Sequence, residues 1–198
     1  MDIPSSSPAV DRLALDTPAV VVDLDVAERN IDRFQAYAQR HGLAVRPHVK
    51  THKLPALARR HLAAGAVGIT CQKVSEAEAM VEGGGLDDVL ITYNILGAAK
   101  RDRLVALARR VRLAVTADHP AVVDGLAAAF RAEAPLRVLV ECDTGAARCG
   151  VQTPAEAVEL ARHIAAAGGL EFGGLMTYPR AGGPFGAQAF LADAKRRC

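Results

Sequence analysis

The stretch that decides the fold is residues 111–141, VRLAVTADHPAVVDGLAAAFRAEAPLRVLVE. Its two ends, 111–115 and 136–141, are short runs rich in valine and leucine, and the segment between them, 119–132, is rich in alanine and has a helical pattern. Continuous apolar runs of this length are typical of strands that are buried on both faces of a parallel sheet. The stretch therefore predicts a strand, a helix and a second strand parallel to the first.

The same alternation extends in both directions along the chain. Further strands are predicted at 19–23, 44–49, 67–71, 89–92 and 172–176, and further helices at 25–41, 53–64, 75–83, 98–109, 154–167 and 187–197. Helix ends are predicted from capping residues: Asp25, Ser75 with Glu78, and Thr153 followed by Pro154 at the starts, and Gly65, Gly83 and Gly168 at the ends.

Repeated strand–helix units close into a barrel or spread as an open, doubly wound sheet. The open sheet would carry a glycine-rich phosphate loop after an early strand, and neither G-x-G-x-x-G nor the P-loop pattern occurs. The sequence therefore predicts a TIM-type (β/α) barrel. Six runs from 44–49 onward would be barrel strands, so the barrel is expected to be incomplete, about two strands short of eight. It would form one domain, 17–198, after a flexible segment, 1–16, that is rich in proline and serine.

Composition excludes several classes of protein. The 198 residues are 51% hydrophobic and 23% charged, with a net charge of +2, which argues against disorder and gives no electrostatic reason to expect nucleic acid or a membrane as partner. Trp is absent, so the core is expected to consist of Ala, Val and Leu. No signal peptide or membrane span is recognisable, and the four cysteines lack C-x-x-C spacing. We therefore expect a reduced, cytoplasmic protein with buried thiols and no structural zinc.

The densest cluster of chemically active side chains is RPHVKTHK, residues 46–53. Lys50 falls at the end of a predicted buried strand, where a desolvated amine becomes a nucleophile for carbonyl groups. Two other interpretations stay open: an ordinary structural role, either as a solvated loop or with His48 and His52 as polar packing residues, or a metal pair formed by these two histidines. The second requires a helix to bring them onto one face, and Pro47 argues against a helix there.

Five motifs in the right order resemble the D-threonine aldolase / D-serine dehydratase family, a branch of pyridoxal-phosphate enzymes related to the alanine racemase N-terminal barrel (fold type III). They are TPAVVVD (17–23), RPHVKTHK (46–53), ITCQKVSEAE (69–78), DTGAARCGV (143–151) and GLMTY (174–178). The resemblance implies a lyase that uses pyridoxal 5'-phosphate to cleave, or to remove water from, D-amino acids with a β-hydroxyl group.

The resemblance also assigns roles to single residues. Lys50 would be the Schiff-base lysine, with Lys53 as the competing candidate one turn into the following helix. The other cofactor contacts would be Arg148 at the phenolic oxygen or the ring, Tyr178 against the pyridine ring, and Gln72 at the pocket wall.

Asp143 has two interpretations that the sequence leaves open: it orients Arg148, or it caps a turn.

Members of the family are longer than this chain. The resemblance implies that a C-terminal β-domain follows the barrel in such proteins, and we expect it to be absent from this chain. Their divalent metal, Mn or Zn, would be bound by C-terminal residues, so no metal ligand is expected in this chain. Fold-type III enzymes commonly dimerise, which makes a homodimer an expectation. Three alternatives remain: a pyridoxal-phosphate-binding homeostasis protein, an amino-acid racemase of the same barrel family, or an inactive truncated remnant.

Overall fold

The computed structural model describes residues 15–179. Helices and strands alternate along this range, as the sequence predicts. The helices are α1 (Leu24–Arg40), α2 (Pro55–Ala63), α3 (Val74–Glu82), α4 (Ala98–Ala108), α5 (Pro120–Phe130) and α6 (Pro154–Ala166). The strands are β1 (Ile69–Cys71), β2 (Asp88–Ile91), β3 (Arg112–Ala117), β4 (Leu136–Cys142) and β5 (Leu170–Thr177). The predicted helix 187–197, and all but the last two residues of the predicted flexible segment 1–16, lie outside the described range.

The five strands form one parallel sheet in the order β1-β2-β3-β4-β5. Each strand pairs with the next strand in the sequence, and the order never reverses. An open doubly wound sheet reverses its order at a switch point, whereas a β/α barrel continues in one direction. The topology therefore confirms the predicted barrel type in incomplete form.

The core lies between the sheet and the helices. In β4 the alternate residues Leu136, Val138 and Val140 are buried, in the same hydrophobic cluster as Leu126 and Phe130 of α5. Burying one such aliphatic or aromatic side chain stabilises a fold by about 1.5–3 kcal/mol. The expected core of Ala, Val and Leu is found, with Ile also prominent and Phe130 as its largest fully buried side chain.

Two predicted strands are wrong in detail. Residues 19–23 form no strand, and the side chain of Val20 is 98% exposed. Residues 44–48 run beside β1 but pair with it only through a single bridge, His48 to Thr70, in which Thr70 N–H donates to the Pro47 carbonyl. A second backbone hydrogen bond, from Val67 N–H to the Val45 carbonyl, lies just before β1. A three-residue 3-10 helix, Val49–Thr51, then ends the extended segment early.

Two of the predicted helix starts are also wrong. The side chain of Asp23, not Asp25, caps α1 by accepting a hydrogen bond from Val26 N–H at 3.0 Å. Ser75 caps nothing, because α3 begins at Val74 and its N-cap, Lys73, makes no side-chain capping bond. The start of α6 is confirmed, where Thr153 forms a capping box with Glu156.

None of the helices within residues 15–179 combines the length and the apolar character needed to cross a bilayer.

Candidate functional site

The four predicted cofactor-site residues lie at one edge of the sheet. Gln72 follows β1, Arg148 is in the loop after β4, Tyr178 follows β5, and Lys50 follows the extended segment beside β1. Because the strands are parallel, their carboxyl ends meet at this edge, and it is there that β/α barrels place their active sites. Residues separated by up to 128 positions in the sequence thus become neighbours.

Lys50 sits in the 3-10 turn, half-buried, rather than at the end of a strand. The turn forms because the ring nitrogen Nδ1 of His48 accepts a hydrogen bond from the backbone N–H of Lys50 at 3.3 Å. The other ring nitrogen of His48, Nε2, is buried without a hydrogen-bond partner among the described residues. Burial lowers the pKa of His48, and the nearby charge of Lys50 lowers it further. His48 therefore lies beside Lys50 as a neutral ring.

The two lysines of the octapeptide have different environments. The Nζ atom of Lys50 lies 3.4 Å from the side-chain oxygen of Gln72, a long hydrogen bond, and 5.9 Å from the centre of the Tyr178 ring. Among the ion pairs of the described range, none involves Lys50. Lys53 is ion-paired with Glu76 and lies before α2 rather than one turn into it. The amine of Lys50 is therefore the one that faces the site without a counter-charge.

Gln72 is anchored through its backbone. The side chain of Glu76, on the first turn of α3, accepts a hydrogen bond from Gln72 N–H at 2.7 Å. Glu76 is only 5% exposed. Burial by itself raises the pKa of this carboxyl group, but the hydrogen bond from Gln72 and the ion pair with Lys53 outweigh it and lower the pKa below its usual range. An ionised carboxylate thus fixes the residue whose amide contacts Lys50.

Arg148 and Tyr178 form a stacked pair across the site. The guanidinium carbon of Arg148 lies 4.2 Å from the centre of the Tyr178 ring, which is cation–π geometry. Thr144, in the loop after β4, shares a hydrogen bond of 2.6 Å with Thr177, the residue before Tyr178. This bond holds the Arg148 loop against the end of β5, so the spacing of the pair is determined by both strands.

Three acidic residues hold the loop that carries Arg148. Asp143 accepts hydrogen bonds from the backbone N–H groups of Gly145 and Ala147, at 2.8 and 3.1 Å. These bonds, the one from Gly145 foremost, lower the pKa of Asp143. These two hydrogen bonds support the interpretation that Asp143 caps a turn.

The far end of the same loop is fixed by neighbouring strands. Asp118, after β3, accepts a hydrogen bond from Gly150 N–H at 2.9 Å and another from the side-chain amide of Asn94 at 2.6 Å. Glu141 of β4 is buried and accepts from the thiol of Cys149 at 2.9 Å. Burial raises the pKa of Cys149, and the bond to Glu141 adds to the rise, so the thiol keeps its proton and donates it.

Sequence reasoning missed Glu76, Asp118 and Glu141. Glu76 was obscured by the neighbouring capping pattern, Ser75 with Glu78, although an acidic residue four positions after Gln72 could reach its backbone N–H. Asp118 comes directly after β3, which was a usable signal, since residues at that edge line the site. Glu141 offered no such signal, because only the folded loop after β4 brings the side chain of Cys149 back to it.

No metal site is assembled within the described range, where no group of three or more His, Cys, Asp or Glu side chains is placed to hold a metal ion. His48 and His52 instead use one ring nitrogen each to accept a backbone N–H, from Lys50 and Leu54 respectively. These hydrogen bonds support the interpretation of His48 and His52 as structural residues.

A parallel sheet wound in one direction, with polar side chains gathered at its carboxyl edge, defines a protein of the β/α-barrel class, and proteins of this class generally bind their ligands at that edge. The sequence pattern of the alanine racemase N-terminal domain matches residues 22–191, most of the chain. The chain belongs to the alanine racemase N-terminal domain family.

Individual relatives agree with this assignment. The chain is 41% identical to D-threonine aldolase of Arthrobacter sp over 176 residues, 88% of this chain and 46% of that protein. It is 37% identical to D-threo-3-hydroxyaspartate dehydratase of Delftia sp. over 84% of this chain and 44% of that protein. The crystal structure of D-threonine aldolase from Filomicrobium marinum superposes with a TM-score of 0.78 at 45% identity, covering 81% of this chain and 43% of that one. The chain thus spans about half the length of the relatives it matches.

Proposed function

We propose that this chain is the cofactor-binding barrel of a pyridoxal-phosphate-dependent lyase that acts on D-amino acids with a β-hydroxyl group. The similar proteins named above are an aldolase of D-threonine and a dehydratase of a 3-hydroxyaspartate. Both of these amino acids have a hydroxyl group on the β-carbon. Lys50 would be the residue that holds the cofactor covalently.

The observation that carries this proposal is the surroundings of the Lys50 amine. It is half-buried, has no ion-pair partner in the described range and faces an aromatic ring, Tyr178, against which a guanidinium group is stacked. An amine that is not tied to a carboxylate is available to attack an aldehyde. The aromatic face suits a flat pyridine ring, and the positive charge of Arg148 suits the phenolic oxygen beside the aldehyde.

The residues present therefore fit the aldehyde and ring of pyridoxal phosphate. The unpartnered Nε2 of His48 is a further polar atom at this end of the site. Glycine residues that would bind the phosphate are not part of this cluster.

Once bound, pyridoxal phosphate supplies an electron sink for bonds at the substrate Cα. Lys50 would hold the cofactor, and its Nζ atom, when free, would serve as a base on one face of the substrate. Arg148 remains a permanent cation, because a guanidinium group does not lose its proton in proteins. Gln72 limits the positions that the free Lys50 amine takes up.

The choice between cleavage of the Cα–Cβ bond and loss of water depends on groups near the substrate hydroxyl. In our proposal these groups, including a divalent metal, come from outside residues 15–179. A homodimer and a cytoplasmic location also remain proposals, and they rest on the sequence alone.

The experiment is an absorption titration of the purified chain with pyridoxal phosphate. We expect a visible band that saturates at one cofactor per chain and is lost in Lys50→Ala. Lys100→Ala is the matched control, since Lys100 is an exposed lysine on α4, and it should keep the band.

Absence of a band in the unmodified chain, or an unchanged band in Lys50→Ala, would overturn the assignment of the cofactor. Release of glycine from D-threonine in the presence of manganese then tests the lyase activity, and it should depend on Lys50.

A further inference from the structure

Glu76 is a buried carboxylate, and each of its two oxygens accepts one hydrogen bond. One oxygen accepts the Nζ–H of Lys53, and the other accepts the backbone N–H of Gln72 at 2.7 Å. The side chain of Glu76 is 3% exposed, whereas that of Lys53 is 59% exposed. A buried carboxylate is costly unless its oxygens are satisfied, and here both are.

The backbone conformation of Lys53 is unusual. Its backbone has a φ of +52°, a left-handed conformation that residues other than glycine rarely adopt. Such conformations persist where surrounding contacts over-determine them. The conformation occurs at the residue that forms the ion pair with Glu76, three positions after Lys50.

The consequence is a difference between the two amines. An ammonium group paired with a carboxylate has no lone pair to offer an aldehyde, and Lys53 is in that state. Lys50 has no carboxylate partner in the described range and contacts the neutral amide of Gln72 instead, at 3.4 Å. The backbone N–H of Gln72, the residue that carries this amide, donates to the same Glu76.

We propose that Glu76 determines which lysine of the octapeptide carries the cofactor, by holding Lys53 in an ion pair and by fixing Gln72 beside Lys50. The inference rests on the proposed function, and it assigns Glu76 as a positioning and specificity-determining residue. In the covalent step the neutral amine nitrogen bonds to the aldehyde carbon, a carbon–nitrogen double bond forms, and the aldehyde oxygen leaves as water with the two amine hydrogens. Removing Glu76 would make the amine of Lys53 competent for the same step.

The test maps the attachment site by reduction. The unmodified chain, Glu76→Ala and Glu76→Gln are incubated with pyridoxal phosphate and reduced with borohydride, and the labelled lysine is identified by fragmentation mass spectrometry. Glu76→Gln keeps an acceptor for Gln72 N–H but loses the charge that holds Lys53, so it serves if Glu76→Ala does not fold by circular dichroism. Glu78→Ala is the matched control: Glu78 lies on the same helix, and its replacement also removes an ion pair, with Arg103, but Glu78 makes no hydrogen bond to Gln72.

We expect label mainly on Lys50 in the unmodified chain and in Glu78→Ala, with only a minor share on Lys53. In both Glu76 variants the share of label on Lys53 should rise about tenfold, the factor expected when a charged hydrogen bond of ordinary strength is lost. A merely structural role for Glu76 would reduce the total label without moving it to Lys53.

The outcomes separate the two proposals. If the unmodified chain is not labelled at Lys50, the proposed function fails. If it is labelled at Lys50 and the folded Glu76 variants show the same distribution, the proposed function stands and the role of Glu76 is refuted.

Discussion

Replacing Gly150 with alanine should damage both the stability of the fold and the position of Arg148. Gly150 has a φ of +106°, and a Cβ atom added there would lie 2.5 Å from the backbone nitrogen of Asp143 and 2.6 Å from the carbonyl carbon of Cys142. Both neighbours are backbone atoms in or next to β4, so they have little freedom to move away. The neighbouring Val151 also pairs with this strand through Asp143 N–H and the Glu141 carbonyl, at 2.9 and 2.8 Å.

Two contributions set the size of the effect. The strained backbone conformation costs about 1–3 kcal/mol for a residue with a side chain, and forcing an extra methyl group into a packed site costs about 1–3 kcal/mol more. We therefore expect Gly150→Ala to lower the free energy of unfolding by about 4 kcal/mol, or the melting temperature by roughly 10 °C for a chain of this size.

The assay is urea denaturation followed by circular dichroism, with Gly84→Ala as the matched control. Gly84 also has a positive φ, +79°, but no atom lies within 4 Å of its added Cβ. Its replacement should cost only the backbone term, about 1–2 kcal/mol. Equal losses in the two variants would refute the claim that close packing against β4 determines the shape of the Arg148 loop.

Further outcomes follow from other contacts. Asp143 has a folded-state pKa below its ordinary value, because the N–H of Gly145 and then that of Ala147 donate to it. Its contribution to stability is therefore complete above about pH 4 and is lost as the pH falls through the lower folded-state pKa. A plot of unfolding free energy against pH should lack this acid step in Asp143→Asn. Thr153→Ala removes the capping box of α6 and should lower the unfolding free energy by about 1 kcal/mol in denaturant titrations. Phe130→Ala empties a fully buried position and should cost about 3–5 kcal/mol by the same measurement; a loss under 1 kcal/mol would contradict the core described above. Burial, with the charge of Glu76 adding to it, raises the pKa of Cys71 to about 12, so mass spectrometry after iodoacetamide at pH 8 should find this thiol unmodified in the folded chain and modified in urea.

Much of the fold could be predicted from the sequence because helices and buried parallel strands have distinct apolar patterns. The six helices within residues 15–179 end within two residues of the predicted positions. The pattern failed at 19–23, where three consecutive valines suit a strand but find no neighbouring strand in the described range and remain exposed. A strand needs a partner for its backbone groups, and local sequence does not supply that information.

The candidate site could be predicted only in part. The motif order pointed to Lys50, Gln72, Arg148 and Tyr178, and the structure brings these four side chains together. The 3-10 turn at Lys50 depends on a hydrogen bond from its backbone N–H to the side chain of His48, which competes with the strand and leaves no mark in the apolar pattern. The pairing of Lys53 with Glu76 joins residues 23 positions apart, so it too required the fold.

The most direct test of the central claim is a crystal structure of this chain grown with pyridoxal phosphate. We expect continuous density from the Nζ atom of Lys50 to the cofactor, with the pyridine ring against Tyr178 and Arg148 near its phenolic oxygen. Density that joins the cofactor to Lys53, or a cofactor bound away from the carboxyl edge of the sheet, would contradict it.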